Sequence, residues 1–141
     1  MAIAQGQCTV FKKNLLNGLE NFSSTSPYVY KIALYNNTAN LDNTTLTYTT
    51  AGEVSGGGYT AGGNVLTPLA PQGDNSNNTA FLSFTNVTWP GSSFTANGAL
   101  IYNSTTNAAV AVLYFGGDKT SANFTITFPA DTSTTAVILI Q

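Results

Sequence analysis

The spacing of apolar positions changes once along the chain. Phe11, Leu15, Leu16, Leu19 and Phe22 fall on one stripe at helical spacing, with Lys12, Lys13, Asn14 and Asn17 opposite. That pattern predicts a short amphipathic helix. Thr9 stands where an N-cap belongs, and the Ser/Thr/Pro run at residues 23–27 ends the pattern. Two lysines in the first turn oppose the helix dipole and Gly18 weakens the far end, so the helix needs a surface to dock on.

From Tyr28 onward the period is two. Tyr28, Tyr30, Ile32 and Leu34 alternate with Val29, Lys31, Ala33 and Tyr35, which predicts a strand. Leu46 and Tyr48 with their threonine neighbours predict another, ahead of a glycine-rich stretch at residues 52–63. Further strands are expected at residues 65–66, 80–84, 87–89, 94–96, 99–102, 109–115, 124–128 and 136–140. Turn signals separate them: Gly73-Asp74-Asn75, Pro90-Gly91, Asn97-Gly98, Asn103-Ser104 and Gly116-Gly117-Asp118. Residues 108–115 and 136–140 are apolar on both faces and read as central, covered strands. Short strands at this spacing predict an all-β fold, an antiparallel β-sandwich of jelly-roll-like or barrel-like form, with one short N-terminal helix. The expected division is an arm and helix at residues 1–22 and a single β-sandwich domain at residues 23–141.

Composition narrows the chemistry. Of 141 residues, 22 are Thr, 16 Asn and 11 Ser, whereas 7% are charged against about 25% in an ordinary domain. Four Lys, no Arg and six acidic residues leave no electrostatic footprint for nucleic acid. The absence of His removes the usual general base and the commonest metal ligand. Cys8 alone makes neither a disulfide nor a thiolate zinc site. The N-terminus lacks the basic and apolar regions of a signal peptide, and the apolar runs are too short to span a membrane. Neither a nucleic acid nor a membrane is an expected partner.

The local motifs resolve into turns and composition. Residues 116–120, Gly-Gly-Asp-Lys-Thr, imitate the end of a phosphate loop, but Asp118 stands in place of the glycine before Lys119 and a strand follows. A hairpin turn is the better reading. Asp74, Ser76 and Asn78 have calcium-loop spacing, yet Thr79 and Thr85 occupy the glycine and glutamate positions. The acids Glu20, Asp42, Glu53, Asp74, Asp118 and Asp131 form no pair in local register and read as solvated loop acids. Tyr28, Tyr30, Tyr35, Tyr48, Tyr59, Tyr102, Tyr114 and Trp89 raise a sugar-stacking platform as an alternative to core filling. Asn-x-Ser/Thr sequons at Asn21, Asn36, Asn43, Asn77, Asn86, Asn103 and Asn123 follow from the abundance of Asn and Thr. No catalytic, cofactor-binding or metal-binding residue is assigned.

The order of short phrases is similar to that of a known family. FKKNLLNG (residues 11–18), YVYKIAL (28–34) and EVSGGGYTAGGNVL (53–66) come first. VTW (87–89), FTANGALIY (94–102), FGGDK (115–119) and FTITFP (124–129) follow. Together they resemble small virion structural proteins of tailed bacteriophages. The resemblance implies a β-sandwich component of the particle, with no catalytic residues and no cofactor.

With the charge-poor surface, that leads to a non-enzymatic expectation: a capsid decoration (cement) protein on the outer face of the head, assembled in the bacterial host cytoplasm. Its expected partners are the major capsid protein and copies of itself, a homotrimer being favoured. The alternative is a neck, tail or fibre-associated protein that contacts glycan. Residues 1–8, small and uncharged, are expected either to reach along a neighbour or to fray. The glycine-rich residues 52–63 are expected either to project as a hairpin that brings subunits together or to form a disordered loop.

Overall fold

Alternation becomes sheet where one face can be buried, and here it does so mostly in antiparallel pairs. In a computed structural model describing residues 2–141, the elements run β1 (Gly6–Gln7), α1 (Thr9–Leu16), β2 (Tyr30–Tyr35), β3 (Asn64–Val65), β4 (Gln72–Asp74) and β5 (Thr79–Leu82). Then come β6 (Val87–Pro90), β7 (Thr95–Asn103), β8 (Ala108–Thr120), β9 (Asn123–Ile126) and β10 (Ile138–Ile140). Five strands form the main sheet in the order β1-β8-β7-β2-β3, beside a β10-β5-β4 sheet and a β6-β9 pair. The fold is all-β with antiparallel sheets and one short helix, as the sequence predicts. No helix among the described residues is long and apolar enough to cross a membrane.

The centre of the main sheet is the most regular part. β2 pairs with β7 from Tyr30 opposite Asn103 to Tyr35 opposite Gly98. β7 turns into β8 through residues 104–107, with Asn107 in the left-handed region at φ 66°. The Asn103-Ser104 turn signal is therefore realised. Residues 108–112 are buried, as two-sided apolarity predicts, whereas Leu113 to Phe115 alternate outward.

Two other glycine signals are not turns. Asn97-Gly98 lies inside β7, and Gly116-Gly117-Asp118 inside β8; between them Asn97 alone stands opposite residues 115–118. The expected hairpin is thus a bulge. Gly116 and Gly117 supply its positive φ values, 79° and 142°, so the motif's conformational preference is met inside a strand. Gly98 is there for proximity, because a Cβ would sit 2.5 Å from the Leu113 carbonyl oxygen.

Elsewhere the elements are shorter than the pattern predicts. The expected strand around Leu46 and Tyr48 reduces to a single bridge, Thr47 opposite Ala108. Residues 136–140 contribute only the edge strand β10, with Ile138 buried and Ile140 exposed, rather than a covered central strand. β4, a run of Gln-Gly-Asp, carries no apolar alternation to announce it.

The helix ends well before Phe22. Cys8, not Thr9, is the N-cap, and it makes no side-chain cap bond. At the other end Gly18 adopts φ 70°, its N–H donates to the Leu15 carbonyl and the Leu19 N–H to the Asn14 carbonyl. Those two bonds are a Schellman stop. Truncation puts Lys13 in the last turn, where it favours the dipole instead of opposing it. Phe11 is fully buried, yet Leu16 is 90% exposed, so only part of the expected stripe faces the protein.

The arm lies on its own sheet. Ala4 donates to Leu41, Cys8 to Val110, and β1 pairs with Val112 and Ala111 of β8. Ile3 and Cys8 join the same core cluster as Ile32, Leu100 and Val112. Neither the reaching nor the frayed arm is found; Met1 lies outside the described residues. The accessible surface, 7058 Å², is close to the ~6,900 Å² expected of a folded monomer of this mass.

Candidate functional site

The glycine-rich segment is folded inward by a carboxylate. Glu53 accepts the Tyr48 hydroxyl at 2.6 Å on one oxygen, and the Tyr59 hydroxyl at 2.6 Å and the Gly62 N–H at 2.7 Å on the other. Tyr102 stacks on Tyr48 with ring centroids 4.8 Å apart and donates to the Gly62 carbonyl at 2.7 Å. Tyr59 is buried against Trp89 and Phe94. Residues 52–63 therefore form a packed loop, and the projecting-hairpin and disordered-loop expectations are both corrected.

Glu20 makes a second such centre. Its Oε2 accepts the Tyr30 hydroxyl at 2.7 Å and the Asn103 amide at 3.3 Å, while its Oε1 is buried with no partner. Burial pushes the Glu20 carboxyl above the usual carboxylate range, against the opposing effect of the Tyr30, Asn103 and Asn14 side chains. Asn103 in turn accepts the N–H groups of Thr105 and Thr106, tying the carboxyl to the β7–β8 turn. Glu20 and Glu53 are thus structural acids and not solvated ones. The tyrosines around them are pushed up first by burial, so these phenols serve as hydrogen-bond donors rather than bases.

The remaining acids and the thiol are similarly engaged. Asp74 accepts the Ser76 N–H at 3.0 Å, the Asn77 amide at 2.7 Å and the Ser133 hydroxyl, and the last of these does most to hold it below the ordinary range. The calcium-spaced residues Asp74, Ser76 and Asn78 thus form a turn whose carboxylate is already filled with donors. Asp118, on the β8 bulge, accepts from Asn97 at 2.9 Å and Asn37 at 3.2 Å. Burial pushes the Cys8 thiol up to about 11, which keeps it protonated and inert at neutral pH. Among the described residues no three His, Cys, Asp or Glu side chains gather into a metal-binding group.

The aromatic platform is also mostly interior. Tyr30, Tyr35, Tyr59, Tyr102 and Trp89 are buried, whereas Tyr114 is 44% exposed. Tyr114 borders an open groove of about 490 Å³ between β1 with β8 and residues 126–129 with 135–137. Gln5, Gln7, Phe115, Thr127 and Phe128 also line it, and no charged side chain does. Gln5 Oε1 accepts the Tyr114 backbone N–H at 3.1 Å, and Gln7 Nε2 donates to the Leu139 carbonyl at 3.1 Å. Sequence reasoning passes over both glutamines because their placement depends on the arm folding back onto β8.

A second, apolar surface lies where α1 meets β10. Leu15, Leu16, Leu139 and Ile140 border it, with Lys12 and Gln7 at its margin. Leu16 and Ile140 are exposed there, the latter by 45%. No family model, no curated protein and no solved structure matches the chain.

Proposed function

We propose that this chain is a non-enzymatic structural protein of a tailed-bacteriophage particle, specifically a capsid decoration (cement) protein on the outer surface of the head. We read the architecture as a β-sandwich, with the five-stranded sheet as one layer and the β10-β5-β4 and β6-β9 sheets as the other. The contact of Phe115 on β8 with Phe124 on β9, ring centroids 5.9 Å apart, supports that reading. Tailed-phage membership is supported by the order of motifs from FKKNLLNG to FTITFP.

The observation that carries the proposal is Leu16. A leucine 90% exposed beside an apolar strand edge, on a body with only 7% charged residues, is a surface suited to cover by another protein. The buried Glu20 and the part-buried Glu53, both engaged by tyrosine hydroxyls, support a structural rather than catalytic role. The partners proposed are the major capsid protein and further copies of this chain, as a homotrimer at local threefold positions.

A reconstruction of the intact particle tests the position. Density for this fold distributed over the head is expected; a single ring at one vertex would overturn the cement reading in favour of a neck or tail protein. Leu16→Lys, which suits the C-terminal end of the helix dipole, is expected to lower occupancy on the particle while leaving the melting temperature unchanged.

A further inference from the structure

We propose that the groove between β1 with β8 and residues 126–129 with 135–137 binds a neutral oligosaccharide. Gln7 also stands at the margin of the apolar surface at Leu16, but Gln5, Tyr114 and Phe128 do not, and the proposal stands whether or not the protein decorates a capsid.

The two glutamines on its wall are fixed in opposite senses. The anchor of Gln5 is a backbone N–H, so its amide oxygen must face inward; the anchor of Gln7 is a carbonyl, so its amide nitrogen must do so. The amide groups left wholly free are a donor, Gln5 Nε2, and an acceptor, Gln7 Oε1, two residues apart along the arm. Neighbouring sugar hydroxyls, each both donor and acceptor, match such a pair. Amides held in advance lose little side-chain freedom on binding, which lowers the cost of recognition.

The rest of the wall has the complementary chemistry. The exposed Tyr114 and the half-buried Phe128 offer apolar surface to the C–H side of a pyranose, and Tyr114 adds a polar tip. With no charged side chain in the lining, neither an anionic nor a cationic ligand gains a counter-charge. At about 490 Å³ the groove falls within the usual size of small-ligand sites, roughly 300–1,000 Å³.

An extended peptide is the competing occupant. Strand addition uses free backbone groups at a sheet edge. Here the Tyr114 N–H and the Leu139 carbonyl are already occupied by the glutamines, so a peptide pairing at those two groups would have to break those bonds. A sugar uses the groups the glutamines leave over.

The test is a titration of 15N-labelled protein, followed through the side-chain amide signals of Gln5 and Gln7. The probes are maltotriose, cellotriose, lactose and triacetylchitotriose, with sialyllactose and a neutral Thr/Val hexapeptide as competitors of different chemistry. At least one neutral sugar is expected to shift both signals saturably, with a Kd on the order of 0.1–10 mM. Tyr114→Ala and Gln5→Ala are each expected to weaken binding at least tenfold, and Thr88→Ala to leave it unchanged. Silence toward all four neutral sugars, a response to the hexapeptide or sialyllactose alone, or full affinity in both groove variants would overturn the proposal.

Discussion

The Tyr30 hydroxyl donates at 2.7 Å to one oxygen of Glu20, while the other oxygen of that carboxylate is buried without a donor. Folding therefore favours the protonated acid, and burial raises the Glu20 carboxyl above its unfolded value. A raised group contributes stability that is present below the unfolded pKa and lost as pH rises through the folded one. Glu20→Gln, which keeps an acceptor for Tyr30, is expected to gain on the wild type as pH rises from the ordinary glutamate range toward neutrality. Chemical denaturation of both proteins across pH measures this. Glu20→Ala, which strands the Tyr30 hydroxyl and the Asn103 amide, is expected to cost about 1–3 kcal/mol. A wild-type-minus-Gln difference that stays flat with pH would contradict the raised carboxyl.

Glu53 acts on the glycine-rich loop through three donors, Tyr48, Tyr59 and the Gly62 N–H. Glu53→Ala is expected to destabilise the protein by about 1–3 kcal/mol, because three part-buried donors lose their acceptor. Residues 52–63 should exchange their amide hydrogens faster in this variant, while the β2–β7 ladder keeps the order of its protection. Hydrogen exchange resolved by residue checks both parts.

Two glycines with nearly equal φ separate strain from crowding. Gly18 has φ 70° and nothing within 4 Å of an added Cβ, whereas Gly63 has φ 78° and a Cβ would lie 1.8 Å from the Ile32 carbonyl oxygen. Gly18→Ala is expected to cost about 1 kcal/mol, the left-handed penalty alone. Gly63→Ala must also push β2 away and is expected to exceed about 3 kcal/mol. Unfolding midpoints of the two variants make the comparison.

The arm provides a larger test. Removing residues 2–8 takes away the buried Ile3 and Cys8, the bond from Cys8 to Val110, and the strand covering part of β8. The truncated chain is expected to melt well below the full chain and to aggregate through the uncovered edge. Thermal melting and light scattering measure the two effects. A truncated chain that melts like the full one would mean that the arm is expendable for folding.

The parts legible in sequence are those where burial imposes a period. β2 and the start of β8 could be read because alternating or two-sided apolarity follows from their place in the sheet. Asn97-Gly98 and Gly116-Gly117 could not, since the conformations glycine allows serve a bulge as well as a turn and only strand pairing decides between them. Glu20 is more distant still from local reasoning. It meets Tyr30 ten residues away and Asn103 eighty-three away, so its burial is a property of topology. Glu53 carried a fainter signal: an acid between Tyr48 and Tyr59 in a chain with only six acids.

On the proposal that this chain decorates a particle, its attachment should depend little on salt. Screening shortens the reach of charges from about 8 Å at 0.15 M to roughly 3 Å at 1 M, so ionic interfaces loosen as salt is added. This chain holds four Lys and six acids, and several of those acids are already committed: Glu20 and Glu53 to phenols, Asp74 to Ser133, Asp118 to Asn37 and Asn97. Few carboxylates remain to form an ionic seam, and with no His there is no imidazole to switch near neutral pH. Contacts at Leu16 and Ile140 would instead rest on apolar burial, which added salt does not weaken. Copies retained on purified particles are therefore expected to stay constant through molar NaCl and from about pH 5 to 9. Counting them after gradient sedimentation across that series measures it. Release by about 0.5 M NaCl at neutral pH, where the screening length is already near 4 Å, would show an electrostatic interface and remove Leu16 from its centre.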